Sequence, residues 1–294
     1  MNTSIARLPV ARRNVTLAAT SAANPVITPG ATPAAPTVKA ATPELGRYIG
    51  AILPLSILAL WLIATSNKWL PPVFLPSPWQ TIQAFSELLK DGKLLEDFMA
   101  SLRIVAMGFA LGASLGLLLG TLSGVASIVE RFFAPTFDAL RQIPPMAWLP
   151  LVILWVGVGD VAKVVVITKV VFFPVFLNTL QGIRSVPKEY IEVARVLRLT
   201  RWQLARKLII PSALPSILVG VRYAAGLSWS LLVAAEMLSG MKGLGFLMWR
   251  AQELLFTDQL LVVIFIIGLV GFVLDRSLFA LQCRLLRWQQ GYAG

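Results

Sequence analysis

Between two strongly apolar segments lie residues 184–215, RSVPKEYIEVARVLRLTRWQLARKLIIPSALP, which form the longest cationic stretch of the chain. A helix is expected to begin near Pro187, because proline is tolerated in the first helical turn. The apolar residues that follow recur at helical spacing and give this helix one apolar face: Tyr190, Val193, Ala194 and Leu197. Such a helix either lies on lipid or fits a groove in a partner protein.

A second helix is predicted to follow directly. Thr200, with Gln203 three residues later, fits a capping box, in which each side chain accepts a hydrogen bond from the other residue's backbone N–H. The stretch therefore predicts two short helices joined by a tight turn near Arg198.

The composition indicates a protein that crosses a membrane several times. Of 294 residues, 57% are hydrophobic and 14% are charged, and the mean hydropathy is +0.76, which is too apolar for a soluble domain of this length. There is no histidine and only one cysteine, Cys283, so Ser–His catalysis, a His- or Cys-based metal centre and an internal disulfide are excluded. No Walker A motif occurs, so we expect no bound cofactor and no ATP hydrolysis by this chain.

Six apolar segments are candidates to span a bilayer, which requires about 20 residues. They are residues 48–67, 104–129, 142–159, 161–183, 211–238 and 259–281. The predicted fold class is an all-α polytopic membrane protein, with a transmembrane domain at 47–288 and a loop at 184–210 between the fourth and fifth spans. Residues 79–98 predict one amphipathic helix along the membrane surface.

The two ends of the chain are predicted to lie outside this domain. Residues 1–46 are rich in Ala, Thr, Pro and Ser and are interpreted as a disordered cytoplasmic tail, because they bury too little apolar surface to offset the entropy of ordering. Arg7, Arg12 and Arg13 precede a weak apolar run, so a signal peptide is the alternative interpretation. Residues 289–294 form a short C-terminal tail.

The distribution of charge orients the spans. With a cytoplasmic N-terminus, the segments on that side hold far more Lys and Arg than acidic residues, whereas the segments on the other side are balanced. The positive-inside rule therefore predicts that both termini and the loop at 184–210 are cytoplasmic. This arrangement accounts for the net charge of +12, and no nucleic-acid partner is predicted.

Five glycines recur at every fourth position in the second predicted span: Gly108, Gly112, Gly116, Gly120 and Gly124. That spacing places them on nearly one helix face, where a neighbouring backbone can approach closely. We interpret them as packing residues of a helix bundle, and a helix that lines a moving seam is the alternative.

The loop at 184–210 resembles the "EAA" loop of binding-protein-dependent ABC importer permeases. That loop has the pattern Glu-Ala-Ala, three residues, Gly, nine residues, Ile, any residue, Leu-Pro, and Glu192, Ala194 and Pro211 match it in register. The other positions of the pattern carry apolar substitutes: Val193, Leu208 and Ile210. Arg198 occupies the glycine position, so the turn has no glycine to adopt a positive φ at low cost.

Further motifs resemble the nitrate, sulfonate and taurine branch of these permeases, and the aliphatic sulfonate permeases look most similar. They include Leu75-Pro76-Ser77-Pro78, Arg141-Gln142-Ile143-Pro144, Ala235-Glu236 and Gly243-Leu244-Gly245. The resemblance implies the type I ABC importer permease fold, with six transmembrane helices in a bacterial inner membrane. It also implies import of a small anion such as an aliphatic sulfonate, taurine or nitrate.

The same resemblance implies partners. Two permease copies pair as a homodimer, two cytoplasmic ATPase subunits use ATP and Mg, a periplasmic binding protein delivers substrate, and lipid surrounds the spans. Each loop is implied to dock in a groove on an ATPase subunit. The residues implied to form this coupling surface are Pro187, Tyr190, Ile191, Glu192, Ala194, Arg195, Leu197, Arg198 and Pro211.

Charged residues within the spans identify candidates for a transport pathway, because such residues are costly in lipid and usually face protein or water. Lys169 lies about 12 Å from the outer end of the fourth span, and Arg222 lies about 16 Å from the inner end of the fifth. Both suit a passing anion; the alternative is structural pairing with Glu236 or Asp275. Arg222 and Glu236 are about 21 Å apart along one helix, too far to pair directly. Weaker pathway candidates are Ser228, Trp229 and Glu236.

Another class of protein fits part of the sequence. A stand-alone secondary transporter or channel for a small anion would need a titratable relay or an ion site within the spans. The absence of histidine and the scarcity of acidic residues in the spans argue against a proton-coupled version. A membrane-embedded enzyme would need clustered His, Asp or Cys residues, which the sequence lacks.

Overall fold

The computed structural model describes residues 43–239 and 241–288, and within these ranges it contains helices and no strand. This confirms the predicted all-α class. The helices are α1 (Pro43–Ser66), α2 (Pro78–Lys90), α3 (Lys93–Val125), α4 (Ser127–Gln142), α5 (Leu149–Val156), α6 (Asp160–Arg184), α7 (Lys188–Val196), α8 (Arg201–Leu204), α9 (Ile210–Ser239), α10 (Leu244–Glu253) and α11 (Thr257–Leu285). A 3₁₀ turn, Pro145–Trp148, precedes α5, and a π-helical turn, Ala205–Ile209, joins α8 to α9.

The chain divides into two compact units, residues 1–52 and 53–294. The described part of the first unit is the start of α1, and the features analysed below belong to the second. The predicted tail at 1–42, its signal-peptide alternative and the C-terminal tail at 289–294 lie outside the described residues. Residues 43–46, which we assigned to the tail, form the first turn of α1 instead, because Pro43 is well suited to the first helical position.

Three of the described helical segments are long and apolar enough to cross a membrane: Lys93–Val125, Trp202–Ser239 and Thr257–Leu285. A fourth is counted when α4 and the segment Pro145–Val156 are taken together as one bent span. The shorter apolar segment Ile52–Ser66 belongs to α1. The prediction of six spans therefore stays a prediction.

Two predicted segments differ from the observed helices. The chain bends by 92° between α4 and Pro145–Val156, at the start of the predicted segment 142–159, whose helical part is Pro145–Val156. Pro144 and Pro145 cause the break, since proline lacks a backbone N–H and restricts the residue before it. The amphipathic helix predicted at 79–98 is also interrupted, because Gly92 adopts a φ of 70° between α2 and α3.

The predicted glycine stripe brings α3 into backbone contact with α6. An added Cβ at Gly112 would lie 2.6 Å from the carbonyl oxygen of Thr168, and one at Gly116 would lie 2.9 Å from that of Phe172. Gly108 and Gly120 also approach carbonyl oxygens of α6, whereas Gly124 meets the side chain of Ile183. The structure thus confirms the bundle-packing interpretation, and α3 and α6 form the most extensive helix pair of the described chain.

Helix α6 lies at the centre of the bundle. It buries residues along its whole length, among them Ile167, Val171 and Val175, and packs on α9 as well as on α3. The main apolar core joins these residues to Ile104 of α3 and Leu232 of α9. By contrast, α1 and α11 leave most of their apolar side chains exposed, as expected of helices that face lipid.

We predict that Gly116→Leu lowers the stability of the bundle, because the new side chain has no space against α6. Overpacking of this kind costs about 1–3 kcal/mol. The matched control is Gly268→Leu on α11, where an added Cβ meets nothing within 4 Å. Thermal unfolding of the detergent-solubilised chain should show a lower midpoint for Gly116→Leu alone, and equal midpoints would contradict the packing account.

Candidate functional site

The cationic stretch contains the short helix α7 followed by a tight turn, as its sequence predicts. The second predicted helix is not short, because α8 continues without a break through the π-helical turn into α9. Helix α7 has Pro187 at its N-cap position and ends at Val196. The capping box of the second helix is confirmed: the Gln203 N–H donates to Thr200 Oγ1 at 3.3 Å, and the Thr200 N–H donates to Gln203 Oε1 at 3.0 Å. The stretch is therefore an ordered element with defined ends.

The turn between the two helices is a Schellman motif centred on Arg198. Arg198 has a φ of 51°, the left-handed conformation that glycine would adopt at lowest cost. The Leu199 N–H donates to the Ala194 carbonyl at 3.0 Å, and the Arg198 N–H donates to the Arg195 carbonyl at 2.9 Å. The arginine thus keeps the backbone geometry of the glycine it replaces, and the hydrogen bonds compensate for the strain.

One apolar strip of α7 is exposed. Its side chains are Tyr190, Val193, Val196 and Leu197, with exposed fractions of 57%, 56%, 82% and 66%. Ala194, by contrast, is only 5% exposed, and Ile191 is half-buried. These two members of the predicted coupling surface therefore face the body of this chain.

The other predicted coupling residues are accessible to different degrees. Pro187, Glu192, Arg195 and Arg198 are exposed, and Pro211 is half-buried near the start of α9. Val196 was missed, although it lies three residues after Val193 and continues the same strip. We call the set Tyr190, Val193, Val196 and Leu197 the loop strip.

The two helices that flank the loop, α6 and α9, pack closely against each other. An added Cβ at Gly182 would lie 2.9 Å from the Ala213 carbonyl oxygen, and one at Gly220 would lie 2.5 Å from the Asn178 side chain. Ser216 Oγ donates to the Asn178 carbonyl at 2.8 Å. The two helices that carry the loop are thus in close contact directly behind it.

An ion pair links the end of α6 to α4. The guanidinium of Arg184, the last residue of α6, forms a two-pronged ion pair with the Glu130 carboxylate in the first turn of α4. Planar pairing of this kind restrains orientation as well as distance. The ion pair therefore restrains the end of α6, from which the loop begins.

Arg222, a predicted pathway residue, is paired across the bundle. Its Nε and Nη2 donate to the two carboxylate oxygens of Asp275 on α11, each at 2.7 Å, and its guanidinium lies 4.8 Å from the centre of the Phe279 ring. Structural pairing, the alternative stated above, is therefore present with Asp275. The same residues line a cavity of about 560 Å³, together with Tyr223 and Ser230.

Lys169, the second predicted cation, lies on α6. Its ammonium donates to the Ile143 carbonyl at 2.9 Å and lies 5.0 Å from the centre of the Trp148 ring. It lines a separate cavity of about 500 Å³ between α3, α4 and α6. The structure thus places the two cations in different cavities.

The weaker pathway candidates are buried inside the bundle. Ser228 donates to the Ala225 carbonyl at 2.8 Å, and the Trp229 indole donates to the Ile267 carbonyl at 3.0 Å. Both residues are buried, and Trp229 belongs to the main core. Their observed contacts are packing contacts within this chain.

Glu236 has a role that sequence reasoning missed. Its carboxylate accepts hydrogen bonds from Ser101 Oγ at 2.7 Å and from the Gly245 N–H at 2.8 Å. Ser101 in turn accepts from the Leu244 N–H at 2.9 Å, and Asp97 accepts from the Gly243 N–H at 2.9 Å. Three side chains from α3 and α9 therefore satisfy the free N–H groups at the start of α10.

Two lysines lie beside these hydrogen bonds at the start of α10. Lys163 is fully buried and donates to the Asp160 carboxylate at 3.2 Å and to the Lys242 carbonyl at 3.4 Å. The hydrogen bond and charge of the Glu96 carboxylate raise the pKa of the exposed Lys242 side chain. The Gly243-Leu244-Gly245 motif is the sequence feature that could have indicated this contact. An added Cβ at Gly243 or Gly245 would collide with Glu236.

Long apolar helices around a packed core, joined by a basic amphipathic loop, define an integral membrane transport component. The sequence matches the family "binding-protein-dependent transport system inner membrane component" over residues 112–287. The chain belongs to this family. As the sequence predicts, it is an ABC importer permease subunit rather than an ATPase.

Curated relatives span most of the chain. The Escherichia coli aliphatic sulfonates transport permease protein SsuC is 40% identical, over 82% of this chain and 91% of its own length. The E. coli taurine transport system permease protein TauC is 34% identical, over 79% of this chain and 86% of its own length. The Synechococcus elongatus bicarbonate transport system permease protein CmpB is 35% identical, over 81% of this chain and 90% of its own length.

A solved structure supports the fold. The crystal structure of an amino acid ABC transporter with histidines matches with a TM-score of 0.52 at 20% identity, covering 70% of this chain and 98% of that one. The helical arrangement is thus that of an ABC transporter permease.

We predict that Arg198→Gly stabilises the loop, because glycine adopts the observed φ without the cost of about 1–2 kcal/mol that a side chain incurs. Hydrogen exchange of the full chain should show several-fold stronger protection of the Leu199 amide. Arg195→Gly is the matched control, since glycine inside α7 costs about 0.5–1 kcal/mol and should weaken that protection. Equal effects of the two substitutions would contradict the assigned turn.

We also predict that Arg222 and Asp275 function as a pair. Arg222→Asp and Asp275→Arg should each reduce the thermal stability of the detergent-solubilised chain, because each leaves two like charges facing one another. The double exchange should recover most of the loss. Additive losses in the double variant would show that the two charges act independently.

Proposed function

We propose that this chain is the transmembrane permease subunit of an ATP-driven importer that brings a small anion into the cytoplasm. Two copies pair as a homodimer, and two ATPase subunits bind ATP and Mg on the cytoplasmic side. A periplasmic binding protein delivers the anion from outside. Each chain crosses the inner membrane six times, and both termini are cytoplasmic.

The loop strip is the observation that carries this proposal. Four apolar side chains are exposed on or next to a short helix of a basic loop. A hydrogen-bonded turn follows this helix, and the Arg184–Glu130 ion pair precedes it. A helix that presents one apolar face in this way is suited to a groove in a partner protein. The surrounding Lys and Arg side chains would add charge complementarity and set the docking register.

The fixed base of the loop gives docking a mechanical consequence. Gly182 and Gly220 hold α6 and α9 together behind the loop, and the glycine stripe joins α6 to α3. A displacement of α7 by the ATPase subunits is therefore transmitted to three long helices as one body. ATP-driven closure of the ATPase subunits would swing the pathway between outward- and inward-facing states.

Two cations are proposed to serve the pathway. Lys169 and Arg222 each line a cavity, which supports contact with a passing anion. The buried contacts of Ser228, Trp229 and Glu236 favour a structural role for these three residues. An aliphatic sulfonate, taurine or nitrate is the proposed substrate class, and the names of the sulfonate and taurine relatives support the first two.

We predict that Leu197→Asp abolishes assembly with the ATPase subunits, because it places a charge within the apolar loop strip. The matched control is Leu254→Asp, another exposed leucine, which lies beyond α10 at the predicted outer side. Both variants should insert into the membrane. ATPase co-purification and binding-protein-stimulated ATP hydrolysis in proteoliposomes should fail for Leu197→Asp only.

Normal ATPase recovery and normal stimulation with Leu197→Asp would overturn the proposed coupling surface. Equal loss in both variants would indicate a general defect and would also count against it.

A further inference from the structure

The ion pair between Arg222 and Asp275 lies in the interior of two long helices. About 18 Å of α9 precedes Arg222, and about 15 Å of α11 follows Asp275. The two charges are therefore placed at membrane depth, where a charge is costly unless it faces protein or water. The other ion pairs within residues 43–239 and 241–288 lie at or beside helix ends: Lys93–Asp91, Arg141–Asp138, Lys163–Asp160, Arg184–Glu130 and Lys242–Glu96.

This pair is accessible from a cavity. The side chains of Arg222 and Asp275 are 34% and 51% exposed, and both line the cavity of about 560 Å³ described above. Tyr223 and Ser230 line it as well, and an added Cβ at Gly226, which lies between them on α9, would meet nothing within 4 Å. Polar side chains around an open space at this depth indicate that the space holds water rather than lipid.

The guanidinium of Arg222 has a second support besides the carboxylate of Asp275. It lies 4.8 Å from the centre of the Phe279 ring, which is within the range of a cation–π contact. The ring contact does not depend on the carboxylate. It would therefore keep the guanidinium at the cavity when the Asp275 side chain turns away.

The geometry of the ion pair is also that of an arginine with a bound oxoanion. Arg222 Nε and Nη2 each donate to one carboxylate oxygen of Asp275 at 2.7 Å. A sulfonate, nitrate or bicarbonate ion also presents two oxygens side by side and can accept the same two hydrogen bonds. Asp275 thus occupies the position that such an anion would take.

We propose that this cavity binds a small oxoanion in exchange for Asp275, whose carboxylate is a built-in competitor for Arg222. The inference rests on the proposed function and adds the group that limits the affinity of its anion site. In the empty site, Asp275 neutralises Arg222. When the anion binds, Asp275 turns into the water of the cavity. Competition keeps binding weak enough for release, which passage through a pathway requires.

Binding of ethanesulfonate to the permease assembled with its ATPase subunits tests this inference. The complex is placed in nanodiscs of zwitterionic lipid and titrated by calorimetry without the binding protein, with empty nanodiscs as the blank. Ionic strength is held constant, so that general screening of charge is the same throughout.

Two substitutions should change the affinity in opposite directions. Asp275→Asn should bind ethanesulfonate about tenfold more tightly, because the neutral amide competes less well, and Arg222→Gln should bind it about tenfold more weakly. A purely structural ion pair would instead make both substitutions weaken binding. Maximal uptake in proteoliposomes should fall several-fold with Asp275→Asn, because release becomes slower.

The matched control is Asp138→Asn, which removes the carboxylate of the exposed Asp138–Arg141 pair on α4. It should bind ethanesulfonate as the unmodified complex does. The control separates loss of an ion pair in general from loss of the competitor in the cavity.

A second variant tests the two-pronged geometry and remains informative if Asp275→Asn fails to fold. Arg222→Lys keeps the positive charge but presents a point charge instead of a planar fork. It should weaken ethanesulfonate binding about fivefold, as for a lost hydrogen bond to a charged group. Chloride, which cannot accept two parallel hydrogen bonds, should bind the unmodified complex more weakly than ethanesulfonate does.

Three outcomes would overturn the inference: unchanged or weaker binding with Asp275→Asn, the same gain with Asp138→Asn, and chloride binding equal to that of ethanesulfonate. Failure of the permease to assemble with ATPase subunits would instead contradict the proposed function, before any anion is added. The two claims are therefore separable.

Discussion

Backbone contact between α3 and α6 is the constraint on which the rest of the bundle depends. Glycine at every fourth position removes the side chains that would hold the two helices apart, so their axes approach more closely than larger residues allow. In a membrane, where lipid is as apolar as the helices, such packing is a main source of helix association. With α6 fixed in this way, α9 packs on its other side and the loop between them acquires a rigid base.

Helices α3 and α9 also contact each other and α10 at the end of the bundle away from the loop. Glu236 of α9 and Ser101 of α3 share hydrogen bonds with the start of α10, and Asp97 adds a third. A buried carboxylate is favourable here because the N-terminus of a helix carries partial positive charge and free N–H donors. Helix α10 is therefore bound to α3 and to α9, one of the two helices that carry the loop at 184–210. Under the proposed function, a displacement of the loop would reach α10 through α6, α9 and α3.

Local patterns in the sequence predicted local structure well. The capping box at Thr200, the turn at Arg198 and the glycine stripe each depend on spacing within one segment, and the structure contains all three. The amphipathic α7 was also predictable, but its orientation was not. Ala194 is buried and Val196 is exposed because the packing of the loop against its own chain selects which face turns outward.

Features that depend on distant residues could not be predicted in this way. Asp275, 53 positions from Arg222, was named among the possible partners, but the hydrogen bond between Ser101 and Glu236, 135 positions apart, was not expected. Sequence spacing limits such partners but does not choose among them. The 92° bend after α4 is an intermediate case, since Pro144 and Pro145 mark the break without fixing its angle.

The central claim is that force from another polypeptide enters this chain through the loop strip and drives transport. The most direct measurement compares alkanesulfonate uptake into liposomes that contain this chain alone with uptake into liposomes that contain it together with its ATPase subunits, ATP and binding protein. The account predicts uptake only in the complete system, with dependence on ATP hydrolysis. Uptake by the chain alone, at a rate unaffected by ATP, would contradict it.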